Sequence, residues 1–475
     1  MEIEVGNLSS KLITDNPSIL EALYQKYGFY VPGYNYVPAY RKRRWDGKKR
    51  YFSKNGVFKT GLLSRIKQDL YDIGVDPKKL VISGEPRFVD DFNISVLNVD
   101  NYEYRDYQKE AIQGCLNEKR LILESPVASG KTLIAAGIVK SLYPYHKKMV
   151  ILLNRLNLVK QTYDFFKSCG ITNLGINSGQ GYIDGDIMIS MVQSIHRIID
   201  THLEQAEVLI VDEAHEFCKG DVTVAAIEAF PNAIWRIALT ATPPSEKEDI
   251  NGRMVLEGAF GPEITTRSIG DLIAEGKIAK PNIQIIDFTP SEEPNEDISY
   301  HDAYQEYIVG GEKNGDSTVY KERNLLIWKI WNQIYSNTKR SRILILVKNL
   351  EHLNYLRNIL MNTYTVEGKD SIEDRYKVIN AFLSDSSTSV LIGTNVLQTG
   401  ISIDEITHMI NARGLEGEIP TIQGLGRGLR TSETKKELMF YDFYDKVPYL
   451  ETHSKKRIKH YKNLGFEINY VKLCN

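Results

Sequence analysis

Three groups of residues in this chain have types and spacings that could do chemistry. The first is Leu121–Thr132, LILESPVASGKT, an apolar run leading into a small-residue turn that ends Gly130-Lys131-Thr132. Polyphosphate suits such a turn. Backbone groups of Ser125, Pro126, Val127, Ala128, Ser129 and Gly130 can cradle phosphate oxygens, the Lys131 ammonium sits on the β and γ oxygens, and the Thr132 hydroxyl holds Mg²⁺. Ser125 stands where the usual G-x-x-x-x-G-K-[ST] pattern has its first glycine, and serine is small enough for the turn. The second group is Asp212-Glu213-Ala214-His215, directly after the apolar run Val208–Val211. An acid at a strand end can join Thr132 on Mg²⁺, and Glu213 can polarise an attacking water. Thr240 and Thr242, at the end of the next apolar run, have hydroxyls suited to coupling that cluster, with His215, to whatever lies beyond. The third group is Gln423 with Arg427 and Arg430 in QGLGRGLR, where arginines at i and i+3 share one helix face. A fixed cationic pair fits the charge that develops on a transferring γ-phosphoryl group.

These residues need a scaffold that ends strands beside one another. Apolar strand cores at Leu121, Met149–Leu153, Ile187–Ser190, Val208–Val211 and Ile234–Leu239 alternate with helical stretches such as Leu133–Leu142 and Leu158–Ser168. That alternation predicts a parallel sheet covered on both faces, with ligands collecting at the carboxyl ends of its strands. A second alternation (Ser341–Val347, Tyr364–Val366, Ser389–Ile392, His408–Ile410, Glu437–Tyr441) predicts a second parallel sheet. The acidic stretch Thr289–Asp297 has the composition of a hinge. The reading is therefore α/β, with residues 1–95 a small α+β domain, 96–285 a first lobe, and 286–475 a second lobe carrying a helical insertion near 300–335 and a basic C-terminal tail.

A chain of 475 residues exceeds one core, and its apolar content of 42% and charged content of 25% are those of a soluble globular protein. No apolar run reaches membrane-spanning length and the four cysteines form no C-x-x-C pair, so a reducing cytoplasm is expected and a membrane is not. The net charge of −2 hides local patches at Arg41–Arg50 and Lys455–Lys462. In the first, Arg41, Lys42, Arg43, Arg44, Trp45, Lys48, Lys49 and Arg50 follow several tyrosines. Interleaved cations and rings suit nucleic acid, because the cations neutralise phosphates while the rings stack. The alternative is a solvated basic hairpin turning at Asp46-Gly47 with Trp45 in the core.

Taken in order, the motifs resemble those of the superfamily 2 helicases, over about residues 103–445: Gln108, SPVASGKT, NRLNLVKQ, SMVQSI, DEAH, TAT, GTNVLQTGIS and QGLGRGLR. The resemblance implies two tandem RecA-like lobes that hydrolyse ATP with Mg²⁺, the catalytic parts divided between the lobes. It implies further that Arg105 and Gln108 bind the nucleotide, that Gly400 and Ser402 complete its site, and that nucleic acid is touched near Arg155, Gln193 and Thr394. More narrowly, YVPAYRKRRWDGKKRYF, GLLSRIK and YQEYIVGGEK…ERN resemble the phage UvsW-type helicases of recombination and fork remodelling. This implies a DNA helicase acting on junctions, forks, D-loops or R-loops in a host cytoplasm, with a monomer expected and no protein partner derivable. Two alternatives stay open: an RNA helicase, and a duplex-DNA translocase subunit that does not unwind.

Overall fold

A computed structural model describes residues 1–84, 94–310, 322–338, 340–394, 405–417, 424–426, 428–429 and 435–473. The chain divides into two compact units: Met1–Pro126 with Gly130–Arg267, and Val127–Ser129 with Ser268–Asn475.

The first unit is built on an eight-stranded sheet. Its order is Gly181–Ile183, Leu174–Ser178, Ile187–Met191, Met149–Leu153, Val208–Asp212, Trp235–Thr240, Arg120–Glu124 and Glu263–Thr265. Only the first pair is antiparallel. The central strands are apolar along their whole length because helices cover both faces; all five residues of Met149–Leu153 are buried.

Residues 1–84 add a four-stranded sheet, Val57–Lys59, Ser9–Ile13, Glu2–Glu4 and Val81–Ser83, with helices Pro17–Lys26 and Leu63–Asp72. The sequence suggested a separate domain here, and its buried residues run on into those of the large sheet. Ile3, Leu12, Leu62, Ile66 and Leu70 belong to one apolar cluster with Ile122, Val150, Leu152, Leu256 and Phe260 of the large sheet and its helices. The approach is close. A Cβ on Gly61 would lie 2.0 Å from the carbonyl oxygen of Glu257. Beside it the Arg65 guanidinium forks onto the Glu257 carboxylate at 2.8 and 2.7 Å.

The second unit carries a seven-stranded sheet in the order Thr363–Val366, Ser389–Gly393, Arg342–Leu346, His408–Asn411, Glu437–Asp445, Lys280–Phe288 and Ile468–Val471. All of its described pairs are parallel. Three expectations need correction. Lys280–Phe288 pairs with Glu437–Asp445 inside this sheet, so the units divide between Arg267 and Ser268 rather than near 285. The supposed insertion is integral, because Tyr300–Tyr304 and Glu322–Asn337 supply Tyr304, Ile327, Ile330 and Trp331 to the core. The basic tail is a helix, Leu450–Asn463, followed by the strand Ile468–Val471. Arg457 anchors that helix from inside: its Nε donates to Asp442 at 2.9 Å, and Asp442 also accepts from the Tyr461 hydroxyl at 2.7 Å.

Candidate nucleotide and nucleic-acid site

The strand Arg120–Glu124 delivers the chain into the phosphate-loop sequence, and the helix Lys131–Leu142 leaves it. Ala128 and Gly130 take left-handed backbone angles, φ 63° and 86°, which turn successive N–H groups into a concave anion nest. Ser125 is not among the left-handed residues, which explains why serine serves where the motif has glycine. Its N–H donates to Thr240 O at 2.9 Å, so the loop is tied to the end of the neighbouring strand. Lys131 folds back over the loop, its Nζ 3.4 Å from Ser125 O and 3.5 Å from Pro126 O. Thr132 is the second residue of the helix whose positive end faces the nest. Gln108 is 3% exposed. Its amide oxygen accepts from Arg105 N at 2.9 Å, capping the helix Asp106–Glu118, so that oxygen of a residue expected to bind the nucleotide is used locally.

Val208–Asp212 ends at the acid pair, and Glu213 is left-handed at φ 50°, a strained setting for a non-glycine residue. Burial, then the charge of Glu213, push the Asp212 carboxyl up to about 7, while Lys131 pulls it down. Lys131 and the acid pair therefore share one electrostatic environment. Glu213 Oε2 is buried and, among the described residues, accepts no hydrogen bond, with His215 Nδ1 3.5 Å away. Two adjacent carboxyl groups, one raised by burial and the other with an oxygen open to a further ligand, fit a divalent cation, and Mg²⁺ needs only one or two protein ligands when phosphates and water supply the rest. His215 is 6% exposed and its pKa is lowered by burial, so it stays neutral. Its Nδ1 pairs with Thr240 Oγ1 at 2.9 Å, and Thr240 Oγ1 also accepts from Thr242 N at 3.2 Å. His215 and the Thr240 hydroxyl are thus joined, whereas Thr242 enters through its backbone N–H and its own Oγ1 has no hydrogen-bond partner among the described residues.

Arg155 and Gln193 follow the adjacent strands Met149–Leu153 and Ile187–Met191. Arg155 donates from Nε to both oxygens of Glu216, at 3.0 and 3.2 Å. Gln193 Nε2 donates to Asn154 Oδ1 at 3.1 Å. Glu216 escaped the sequence reading. The one available signal was an acid immediately after the DEAH tetrapeptide, which says nothing about where its side chain goes.

Arg41, Lys42, Arg43, Arg44 and Lys49 are exposed. Arg41 lies over the Tyr36 ring at 5.9 Å and Lys48 over Tyr30 at 5.0 Å, both rings being more than half exposed. Two residues of this segment are otherwise employed. Trp45 Nε1 donates to Lys48 O at 2.9 Å across the Asp46-Gly47 turn. Arg50 pairs with Asp46 and stacks on Tyr24, with only 17% of its side chain exposed. In the second unit Thr394 is part-exposed just beyond the strand Ser389–Gly393. Gly400, Ser402, Gln423, Arg427 and Arg430 lie outside the described residues. Gly428 packs directly on the strand Glu437–Asp445, where a Cβ would meet Leu438 Cδ2 at 2.5 Å.

Residues 101–245 match the family model described as type III restriction enzyme, res subunit, and residues 326–432 match the helicase conserved C-terminal domain. The chain belongs to the superfamily 2 helicases. It is an ATP-dependent helicase. Along its whole length it is similar to the ATP-dependent DNA helicase uvsW of Enterobacteria phage T4, at 23% identity over 99% of this chain and 98% of that one. The DNA 3'-5' translocase XPB2 of Sulfurisphaera tokodaii is 25% identical over 72% of this chain and 81% of its own. Among solved structures, S. cerevisiae Dbp5 bound to RNA and ADP BeF3 aligns with a TM-score of 0.53 at 15% identity, covering 77% of this chain and 89% of that one. A fragment of a putative HsdR subunit from Vibrio vulnificus gives 0.53 at 19%, covering 77% and 67%. These two likenesses speak to the two-lobe fold alone. Among the described residues no helix is long and apolar enough to cross a membrane.

Proposed function

We propose that this helicase remodels branched DNA (junctions, forks, D-loops or R-loops) during phage replication, recombination and repair, acting as a monomer in the host cytoplasm. One observation carries the reading. A cation-and-ring surface, Arg41–Arg44 with Tyr30, Tyr36 and Lys48, is carried on a segment whose flanking Tyr27 and Tyr51 join the apolar cluster that includes Ile122 of the strand feeding the phosphate loop. The full-length similarity to a phage DNA helicase supports DNA as the polymer.

In this reading the nest at 125–130 binds the ATP phosphates, and Lys131 neutralises the β and γ oxygens. Thr132 and Asp212 would hold Mg²⁺, which supplies further charge neutralisation on the same oxygens. Glu213, whose Oε2 lacks a hydrogen-bond partner among the described residues, orients and polarises the attacking water. His215 and Thr240 pass the state of that site to the next strand end. Arg427 and Arg430, with Gln423, stabilise the charge of the transferring phosphoryl group, and Gly400 and Ser402 complete the nucleotide site. Arg155, Gln193 and Thr394 contact the translocated strand.

The test is ATP hydrolysis measured with no nucleic acid, RNA, linear duplex DNA and a four-way DNA junction. Strong stimulation by the junction, followed by its conversion to two-armed products, is expected. Stimulation by RNA alone would discard the branched-DNA reading and move the basic surface to RNA.

A further inference from the structure

Glu216 has no part in the chemistry above, yet the strand-contact residues of the first unit converge on it. It sits on the turn Ala214–Phe217, three residues after the left-handed Glu213, with 14% of its side chain exposed. Besides the two Nε contacts, Arg155 Nη2 donates to Glu216 Oε1. Asn154 Nδ2 donates to Oε2 at 3.4 Å, and Gln193 reaches the carboxylate through Asn154. Arg155 therefore presents a fork of N–H groups to two carboxylate oxygens. A guanidinium presents the same fork to two phosphate oxygens.

We infer that Glu216 is a positioning residue: it occupies the Arg155 guanidinium while no nucleic acid is bound, and a backbone phosphate takes its place when a strand enters. The inference rests on the proposal that Arg155 and Gln193 face nucleic acid. Its physical content is competition. Both anions want the same donors, so phosphate binding releases Glu216. Release is local but consequential, because the short turn that carries Glu216 begins at Glu213. The carboxylate assigned to the attacking water is thus free to settle only once the strand is in place. Arg155 keeps 37% of its side chain exposed, so an incoming phosphate can reach it without prior opening.

The experiment compares wild type with Glu216→Gln, using anisotropy of a labelled single strand and of a labelled duplex together with ATPase titrated by each DNA. The amide cannot match the carboxylate's hold on Arg155. The variant is therefore expected to bind DNA about tenfold tighter, the order of one charge-assisted contact. The DNA concentration for half-stimulation falls in step, and hydrolysis without DNA rises toward the stimulated rate. In an Arg155→Ala background the Glu216→Gln change has no effect on affinity, since the competition has no object. A purely structural role would not move the half-stimulation point in this direction. If the Gln variant melts early, Glu216→Ser, which cannot reach Arg155, must give the same tightening. Unchanged affinity and half-stimulation in a folded variant overturn the inference alone. A wild type that binds neither DNA overturns it together with the reading on which it rests.

Discussion

Replacing Asp212 with Asn should make the protein more stable while it abolishes ATP hydrolysis. The Asp212 carboxyl is raised from 3.8 to about 7, first by burial and then by the charge of Glu213. Between those values the folded protein holds a proton that the unfolded chain has already lost, so stability falls as pH rises across that window. At about 1.4 kcal/mol per pH unit the gross cost above neutrality is ~4 kcal/mol. Solvent reaching this half-buried residue trims it to ~2 kcal/mol. Asn carries no charge, and its Oδ1 can still accept the Glu213 N–H that Asp212 takes at 2.9 Å. With ~2–4 °C per kcal/mol for a unit of this size, the variant should melt ~4–8 °C above wild type near pH 8. The gap should narrow steadily as pH falls toward about 4 and vanish below about pH 3, where the wild-type carboxyl is largely protonated in both states. Thermal melts across that range, in chelator and without nucleotide, measure it. A variant that melts at or below wild type near pH 8, or a gap that does not change with pH, would refute the electrostatic account of the acid pair.

Arg427→Ala should leave ATP binding largely intact while removing ~10³-fold or more of turnover, as loss of an arginine finger does; near-normal ATPase would sink the proposed role. Replacing Arg41, Lys42, Arg43 and Arg44 with Ala should weaken DNA binding and lower the slope of log K against log salt by up to ~4, at roughly 0.9 per duplex phosphate contact. Titrations at several salt concentrations read that slope, and equal slopes would dismiss this surface. Gly61→Ala should destabilise the first unit by ~1–3 kcal/mol, because its Cβ would enter the carbonyl of Glu257 at 2.0 Å. A denaturant midpoint unchanged by that substitution would show that the contact is looser than described.

The strands that bear the motifs were legible because each is an apolar run ended by residues of chemical type. Val208–Asp212 with its acid pair and Arg120–Glu124 with its glycine-lysine turn are found by pattern alone. Most of the small N-terminal sheet was not. Val57–Lys59 and Val81–Ser83 are three residues each, too short to show the alternation that marks a strand. Lys455–Lys462 looked like a tail because its charges are plain in sequence, whereas the burial of Arg457 depends on Asp442, a residue on another element. Glu216 was missed for the same reason: its partner Arg155 lies 61 residues away. What single-sequence reading loses here is long-range pairing of charged side chains, which leaves no periodic trace.

The shared core of the first unit changes how the proposed DNA surface must be tested. Removing residues 1–95 would strip Leu62, Ile66 and Leu70 from the cluster that includes Leu256 and Phe260. It would also leave Glu257, 5% exposed, without the Arg65 fork. Such a truncation damages the ATP-binding unit itself, so a loss of ATPase on deletion would say nothing about DNA. Charge substitutions at Arg41–Arg44 leave that core untouched and isolate the surface. The same packing has a mechanical consequence. With Gly61 held against the backbone of Ile250–Phe260, and Tyr51 donating to Asn251 O at 3.0 Å, the basic surface is indexed to the phosphate-loop sheet rather than tethered to it. DNA bound there, as proposed, would sit on the same compact unit as Lys131 and Asp212.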